Sequence, residues 1–582
     1  MRPLMERAYE TLARGRIPVV VAPTSYGKTA ASVEIWKRLL EDGLAGGLIH
    51  VVPLRSLVRK IFDDFFKPVG GRLQMHGAPE EHKSPYYLSP LVVTTLDSYI
   101  WNLYRIPVVE ALKIESRVSM GHYYPVIASI ATSVSVFDEA HLYLWEDSRP
   151  EHGVAAVEAA VRALSRLGLP FIVETATMRP NMLARLSSIL GQSRTPHDFL
   201  VLGPEPSNCQ DFSFCHGVRK LLRMEGSRLH MVTDPEWVQD KSVPWTTDIE
   251  YWWDDVIRDI VDEASRGPVL VVANTVSSAV SLYRRLQNRE IERLILVHGR
   301  LSRADRERSE DLIGRMDSGV VVATQVVEVG VDVNVTAVFT EAAPLESLAQ
   351  RVGRACRRGK VLEACRREGG KAIIVASNNI GAYNSRTVLF SVSRVKFSIE
   401  HADGVEWRML WTTENGYSYA DLAMMEESKV PVVGVDDWIS DVLVKYLSGD
   451  FQPSLLHELL DRGFCDLFKG TIMVEIEVSE GDSVSASLDW VLRNSRDILE
   501  MGREGPIIRV SLQDGSLQEL EARELWRTWI SGSRSCSRLI KSIRKDLAKA
   551  GTGGAIQAVS WAFKAKDGVY KRGLGLLLPS EL

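Results

Sequence analysis

The sequence predicts an α/β protein: two parallel-sheet domains followed by a third, less regular one. Three observations predict it. Short apolar runs at 17–22, 134–137 and 269–273 alternate with helix-forming stretches, the rhythm of βα units. Several of these runs end in small, polar or charged residues, where α/β sheets place their ligand contacts. The 582 residues exceed what one hydrophobic core can serve, so three or four domains are expected.

The first run leads into A-P-T-S-Y-G-K-T at 22–29, followed by the helix-forming run 30–40. A buried strand, a tight loop and a helix start are what a phosphate loop requires. Thr24, Ser25, Tyr26 and Gly27 would supply the loop, with backbone N–H groups facing phosphate. Lys28 would sit on the β- and γ-phosphates of ATP, and the Thr29 hydroxyl would hold Mg²⁺.

The next runs, 48–52 and 91–93, end in P-L-R-S-L and T-T-L-D, which an ordinary helix cap explains as well as a ligand contact does. The run 134–137 ends in D-E-A-H. Hydrolysing a phosphoanhydride needs one acidic residue on the metal and another to orient water. Asp138 is expected in the first role and Glu139 in the second. The run 171–174 leads into T-A-T-M.

Residues 203–249 lose the βα rhythm, hold four prolines and read as a connector. The rhythm then resumes: 269–273 ends in Asn274-Thr275, 294–297 in His298-Gly299-Arg300, and 320–323 in Thr324-Gln325. T-Q-V-V-E-V-G-V-D follows at 324–332 and Q-R-V-G-R-A-C-R at 350–357. Gln350, Arg354 and Arg357 recur at helical spacing, which would project them from one face. An arginine reaching a phosphate loop from outside stabilises phosphoryl-transfer charge, and Arg354 and Arg357 are candidates; alone, the segment reads as a solvated basic helix.

Taken together, A-P-T-S-Y-G-K-T, P-L-R-S-L, D-E-A-H, T-A-T-M, T-Q-V-V-E-V-G-V-D and Q-R-V-G-R-A-C-R resemble the motif series of superfamily-two helicases. N-T-V with T-Q-V-V-E-V-G-V-D is most similar to the CRISPR-associated helicase-nuclease of type I interference systems. The resemblance covers about residues 1–371 and implies two tandem RecA-like domains plus a C-terminal accessory domain. The expected boundaries are 1–205 for the ATP-binding domain, 206–247 for the connector, 248–392 for the second RecA-like domain and 393–582 for the accessory domain.

The resemblance further implies an ATP-dependent single-stranded DNA translocase of 3′ to 5′ polarity, with Asp332 in the nucleotide cleft. Single-strand contacts are expected from Arg55, Thr95, Thr275, Arg300, Thr324 and Gln325. Ser25 departs from the glycine most such helicases carry, so an unusual backbone conformation is expected there. Met5 stands near the place of an adenine-reading glutamine.

In many proteins of this family a His-Asp metal nuclease precedes the helicase. Here the one His-Asp dipeptide, His197-Asp198, follows the first sheet without companion histidines and does not read as a metal site. The expectation is therefore a helicase subunit that works with a separate HD-type nuclease subunit and a crRNA-guided surveillance complex. A repair or junction-remodelling helicase with the same engine, and a remodelling ATPase that does not translocate, are the competing readings.

Composition sets the remaining bounds. A net charge of -5 argues against a globally basic nucleic-acid coat, while leaving room for a local basic track. No stretch is long and apolar enough for a membrane span. The cysteines Cys209, Cys215, Cys356, Cys365, Cys465 and Cys536 form no C-x-x-C pair, so reduced thiols in a cytoplasm are expected. In the last third, Arg534, Arg538, Lys541, Lys545 and Lys549 would line one helix face near Trp526, Trp529 and Trp561, which reads equally as a strand-gripping track or a solvated face.

Overall fold

A computed structural model describes residues 1–75, 78–104, 124–144, 151–176, 186–191, 194–204, 227–328, 330–377, 379–402, 404–414, 416–425, 445, 473–512, 515–533, 536–550 and 558–581. They fall into two compact units, one of residues 1–253 with 328–452 and one of residues 254–327 with 453–582.

The first unit is built on an eight-stranded sheet. Its strands are β1 (Ile17–Val21), β2 (Gly47–Val52), β3 (Arg72–Gln74), β4 (Leu91–Thr95), β5 (Ser133–Phe137), β6 (Phe171–Thr175), β7 (His197–Leu202) and β8 (Ser227–Val232). Their order is β3-β4-β2-β5-β6-β1-β7-β8, and the pairs are parallel. Strands β1, β2, β4, β5 and β6 are buried along their whole length, which is why they read as continuous apolar runs. The order sets β6 between β5 and β1, with Phe137 opposite Val173 and Val20 opposite Glu174. The D-E-A-H turn and the phosphate loop therefore leave the same sheet edge, one strand apart.

The expected connector contains strand residues. Within it, β8 pairs with β7, and β9 (Trp245–Glu250) pairs with β14 (Gly370–Val375). Each lies at the edge of its sheet and has a wet side: β9 alternates buried with exposed residues over 245–248, and β8 carries Arg228 exposed and His230 half-buried. Strand β14 also pairs in parallel with β13 (Ala337–Glu341). A short parallel pair, β15 (Val405–Glu406) and β16 (Tyr417–Ser418), follows in the same unit.

The reading of all cysteines as reduced thiols is corrected, since Cys356 and Cys365 form a disulfide. Cys356 closes the Q-R-V-G-R-A-C turn and Cys365 lies on the helix Gly359–Glu368, a proximity that nine residues of sequence separation did not announce. Cys209, Cys215 and Cys465, and the T-M of T-A-T-M, lie outside the described residues.

In the second unit β10 (Pro268–Val272), β11 (Leu294–Val297) and β12 (Gly319–Ala323) pair in parallel in the order β11-β12-β10. A five-stranded mixed sheet follows, formed by β17 (Met473–Ser479), β18 (Asp482–Ser487), β19 (Ile507–Leu512), β20 (Leu517–Glu521) and β21 (Ala558–Lys564) in the order β18-β17-β21-β19-β20. Its core joins Ile476, Ile508 and Phe563 to Leu525, Ile543 and Leu547 on two helices. The chain end ties back onto the βα series of its own unit: Arg300 forms two hydrogen bonds to Glu581, and Tyr570 Oη donates to Asp305 at 2.7 Å. Among the described residues no helix is long and apolar enough to cross a membrane.

Candidate nucleotide site

After β1 the chain turns through the loop and enters the helix Lys28–Glu41, with Gly27 at its N-cap in a left-handed conformation. Ser25 has φ 66°, as its place in a glycine position leads one to expect. Tyr26 does not face a ligand: its fully buried ring packs edge-on against Trp237, and its hydroxyl donates to Asp234 at 3.1 Å. It anchors the loop from behind and leaves only backbone to the site. Lys28 Nζ donates to the carbonyls of Ala22 and Pro23 at 2.9 and 3.2 Å, and Thr29 Oγ1 donates to Asp138 Oδ2 at 3.0 Å.

The acidic side is set by buried neighbours. Ser32 Oγ lies 3.0 Å from His50 Nδ1, and His50 Nε2 lies 3.3 Å from Asp138 Oδ2. Burial pushes the Asp138 carboxyl up, but the His50 hydrogen bond and the Lys28 charge outweigh it and hold the group below the usual carboxylate range. Glu139 behaves oppositely: burial, then the Asp138 charge, push it up to about 7. Its φ is 53°, and its Oε2 is buried without a hydrogen-bond partner among the described residues, 3.5 Å from His141 Nδ1. Glu174 on β6 is wholly buried, with both carboxylate oxygens unpartnered among the described residues, and burial followed by the Asp138 charge raises it well above its ordinary value.

The Q-R-V-G-R-A-C-R segment completes the same cleft, but not as a single helix face. The helix Leu345–Val352 ends before Arg354, and Cys356 at φ 56° redirects the chain. A Cβ on Gly353 would lie 2.8 Å from Thr24 Oγ1, so glycine is what lets this turn approach the phosphate loop. Beyond it Arg357 Nε donates to Ser25 Oγ at 2.9 Å and Nη1 to Asp332 at 2.8 Å. Arg354 donates to the Glu328 carbonyl and keeps a buried Nε without a partner among the described residues; burial and then the Arg357 charge lower its pKa to about 10. Gln350 is bonded to His141, whose Nδ1 lies 3.0 Å from Thr175 Oγ1. Burial lowers His141 to about 4, so at neutral pH its uncharged ring links Gln350 to Thr175.

Asp332 is gripped by Arg357, Arg358 and Lys60, the last at 2.9 Å. Burial raises its carboxyl, but these three cations hold it well below the carboxylate range. The result is a cleft of about 410 Å³ lined by Ser25, Lys28, Thr29, Glu139, Arg354 and Arg357 among others. Sequence reasoning missed His50, Glu174 and Lys60. A polar residue inside an apolar strand was a usable signal for the first two; nothing local announces that Lys60 meets Asp332.

The expected strand contacts are less uniform. Arg55 is exposed. Thr95 is buried as the N-cap that accepts from Ser98 N–H, and Thr275 caps the helix Val276–Gln287 in the same way. Thr324 is buried, and Gln325 donates to the Asn274 carbonyl at 2.8 Å. Arg300 is committed to Glu581 and stacks over Trp490. In this structure Thr95 thus serves as a helix cap and Arg300 as an ion-pair partner. Met5 is a core residue of the first helix.

His197 and Asp198 hold no metal arrangement. His197 bonds to the Thr195 carbonyl and Ser187, while Asp198 pairs with Arg16 and His230. Among the described residues no group of three His, Cys, Asp or Glu side chains could hold a metal ion. Of the C-terminal basic residues, Arg538, Lys541 and Lys545 are exposed on the helix Cys536–Leu547 while Leu539, Ile543 and Leu547 face the core; Arg534 lies outside the described residues.

Two stretches of the chain match known protein families. Residues 2–185 match the DEAD/DEAH box helicase family, and residues 265–360 match the family described as CRISPR-associated nuclease/helicase Cas3, C-terminal. The "CRISPR-associated helicase Cas3" of Thermoproteus tenax is 26% identical over 379 residues, 62% of this chain and 57% of that protein. The "Putative CRISPR-associated nuclease/helicase Cas3" of Methanocaldococcus jannaschii is 24% identical over 55% of this chain and 38% of its own length. The chain thus spans about half the length of these relatives or less. A crystal structure of a CRISPR-associated protein shares the fold at TM-score 0.57 and 15% identity, covering 89% of this chain and 69% of that one.

Proposed function

Because the chain carries a DEAD/DEAH box helicase domain and a Cas3-like helicase C-terminal domain, we propose that it is an ATP-driven single-stranded DNA translocase acting in type I CRISPR interference. The observation that carries this reading is the convergence of Lys28, Thr29, Asp138, Glu139, Arg354 and Arg357 on one cleft. In it Lys28 exchanges the Ala22 and Pro23 carbonyls for phosphate oxygens, and Arg357 and Arg354 meet charge developing on the transferred phosphoryl group. Glu139, with an unpartnered buried oxygen beside the loop, orients and deprotonates water. Thr29 and Asp138, which lie within hydrogen-bond distance of each other, would hold Mg²⁺, and the ion would neutralise phosphate charge there. Gln350, His141 and Thr175 couple cleft closure to the end of β6.

The chain moves 3′ to 5′ along single-stranded DNA, to which the first unit offers Arg55 and the second unit offers Thr275, Thr324 and Gln325. The working division is an ATP-binding domain over 1–205, a connector at 206–247 that contributes β8, a second RecA-like domain over 248–392 and an accessory domain over 393–582. A separate HD-type nuclease subunit cuts the strand that a crRNA-guided complex exposes.

The test is strand-stimulated ATPase together with displacement on forked duplexes bearing 3′ or 5′ tails, with Glu139→Gln as control. Displacement from the 3′-tailed fork without degradation of the strand is expected. ATPase without displacement leaves the remodelling reading, and degradation by this chain alone ends the separate-nuclease reading.

A further inference from the structure

The five-stranded sheet domain holds a second cleft, of about 570 Å³, lined by Arg496, Met501, Arg503, Trp526 and Lys566 among others. It is a built feature. The loop after the short helix Ser495–Ile498 closes on itself, with Gly502 N–H donating to the Gly505 carbonyl at 2.8 Å. Glu521 accepts from the N–H groups of Arg503 and Glu504 at 3.3 and 3.0 Å, which fixes the loop tip. A Cβ on Gly505 would lie 2.9 Å from the Ala522 carbonyl and 3.1 Å from Trp526 Cβ, so glycine lets the loop rest against the helix that carries Trp526. Lys566 N–H donates to the Ile498 carbonyl at 2.9 Å and brings its side chain to the opposite wall.

The charges around this cleft are unevenly matched. Glu500 pairs with Lys564 at 2.9 Å, and Glu504 pairs with Arg523 and Arg527 at 2.6 and 3.3 Å. Arg496, Arg503 and Lys566 are exposed and form no ion pair among the described residues, although Asp497 and Asp567 follow Arg496 and Lys566 directly in the chain. Three unpaired cations around a half-buried indole are chemistry for a ligand that carries both anionic groups and a flat ring. A nucleotide unit within a single strand is such a ligand.

We propose that this cleft binds one or two nucleotides of single-stranded nucleic acid, with a base stacked on Trp526 and the flanking phosphates held by Arg496, Arg503 and Lys566. The proposal rests on the translocase reading and adds to it a grip within the five-stranded sheet domain. A phosphoserine or phosphothreonine peptide would satisfy the cations but offer nothing flat at Trp526, and three cations spread around one indole suit the successive phosphates of a strand.

The test measures binding of a fluorescein-labelled oligothymidylate and of an abasic oligomer of equal length to the full chain. Trp526→Ala should weaken the thymidylate about 5- to 150-fold, the range of one stacked base, and leave the abasic oligomer unchanged. Trp526→Phe should restore binding. Arg503→Glu with Lys566→Glu, both at exposed positions, should weaken both oligomers and flatten the salt dependence by roughly one to two in slope. Equal loss on both oligomers in Trp526→Ala, or wild-type affinity in both variants, overturns the pocket. So does a phosphopeptide that binds the wild type and is lost in Trp526→Ala. Failure of the wild-type chain to bind either oligomer would overturn the translocase reading instead.

Discussion

Arg357 donates its Nε hydrogen to Ser25 Oγ at 2.9 Å, joining residues 332 positions apart across the mouth of the nucleotide cleft. The contact makes the second arginine-bearing segment part of the phosphate loop's surroundings. If Arg357 and Arg354 act on transition-state charge, Arg357→Ala and Arg354→Ala should each lower ATP turnover about 10²-fold or more while changing nucleotide affinity little. Steady-state turnover set beside fluorescent-nucleotide binding checks this; equal losses in both would assign the arginines to ground-state binding.

Ser25 holds a left-handed backbone, which costs a non-glycine residue about 1–2 kcal/mol. Ser25→Gly removes that cost together with the hydroxyl, whereas Ser25→Ala removes the hydroxyl alone. The glycine variant should therefore be the more stable of the two by about 1 kcal/mol in thermal unfolding, and both should lose turnover through the lost Arg357 contact.

Glu139→Gln should retain ATP binding and abolish hydrolysis, because an amide cannot take the proton of water. Lys28→Ala should weaken binding itself, through the charge lost from the phosphates. Burial and Asp138 push Glu139 up to about 7, so its basic form is depleted as pH falls through neutrality. The kcat/KM for ATP should fall with it, which a pH–rate profile measures.

Glu174 adds a stability signature. Its folded carboxyl keeps its proton well above the ordinary value of 4.5, whereas the unfolded chain releases it near that value. Stability from this group is therefore complete below about 4.5 and is lost as pH rises towards the raised folded value. Glu174→Gln, neutral at every pH, should match the wild type in acid and melt at higher temperature at neutral and alkaline pH.

Cys365→Ser should lower unfolding stability by about 2 kcal/mol, within the range for short disulfide loops, and should do so only relative to the oxidised wild type. Melting with and without reductant distinguishes this from a packing defect, since reductant should bring the wild type down to the variant and leave the variant unchanged.

Much of this was legible in the sequence by itself, and for a physical reason. Strands buried on both faces must be apolar, so β1, β2, β4, β5 and β6 announced themselves, and the loop and D-E-A-H turn were read where those runs ended. The linear spacing of Lys28, Thr29, Asp138 and Glu139 carried their chemistry because phosphate loops and strand-end carboxylates are local devices. What only the tertiary structure decided depends on residues far apart in sequence or on competition between partners. Lys60 meeting Asp332, the Cys356–Cys365 bridge and the Tyr26 ring turned into the core against Trp237 follow from packing that no local pattern encodes. Edge strands β8 and β9 were read as connector because half-exposed strands lose the apolar signature. Thr95 and Arg300 went to a helix cap and to Glu581, since a buried hydroxyl or guanidinium takes the partner the fold supplies.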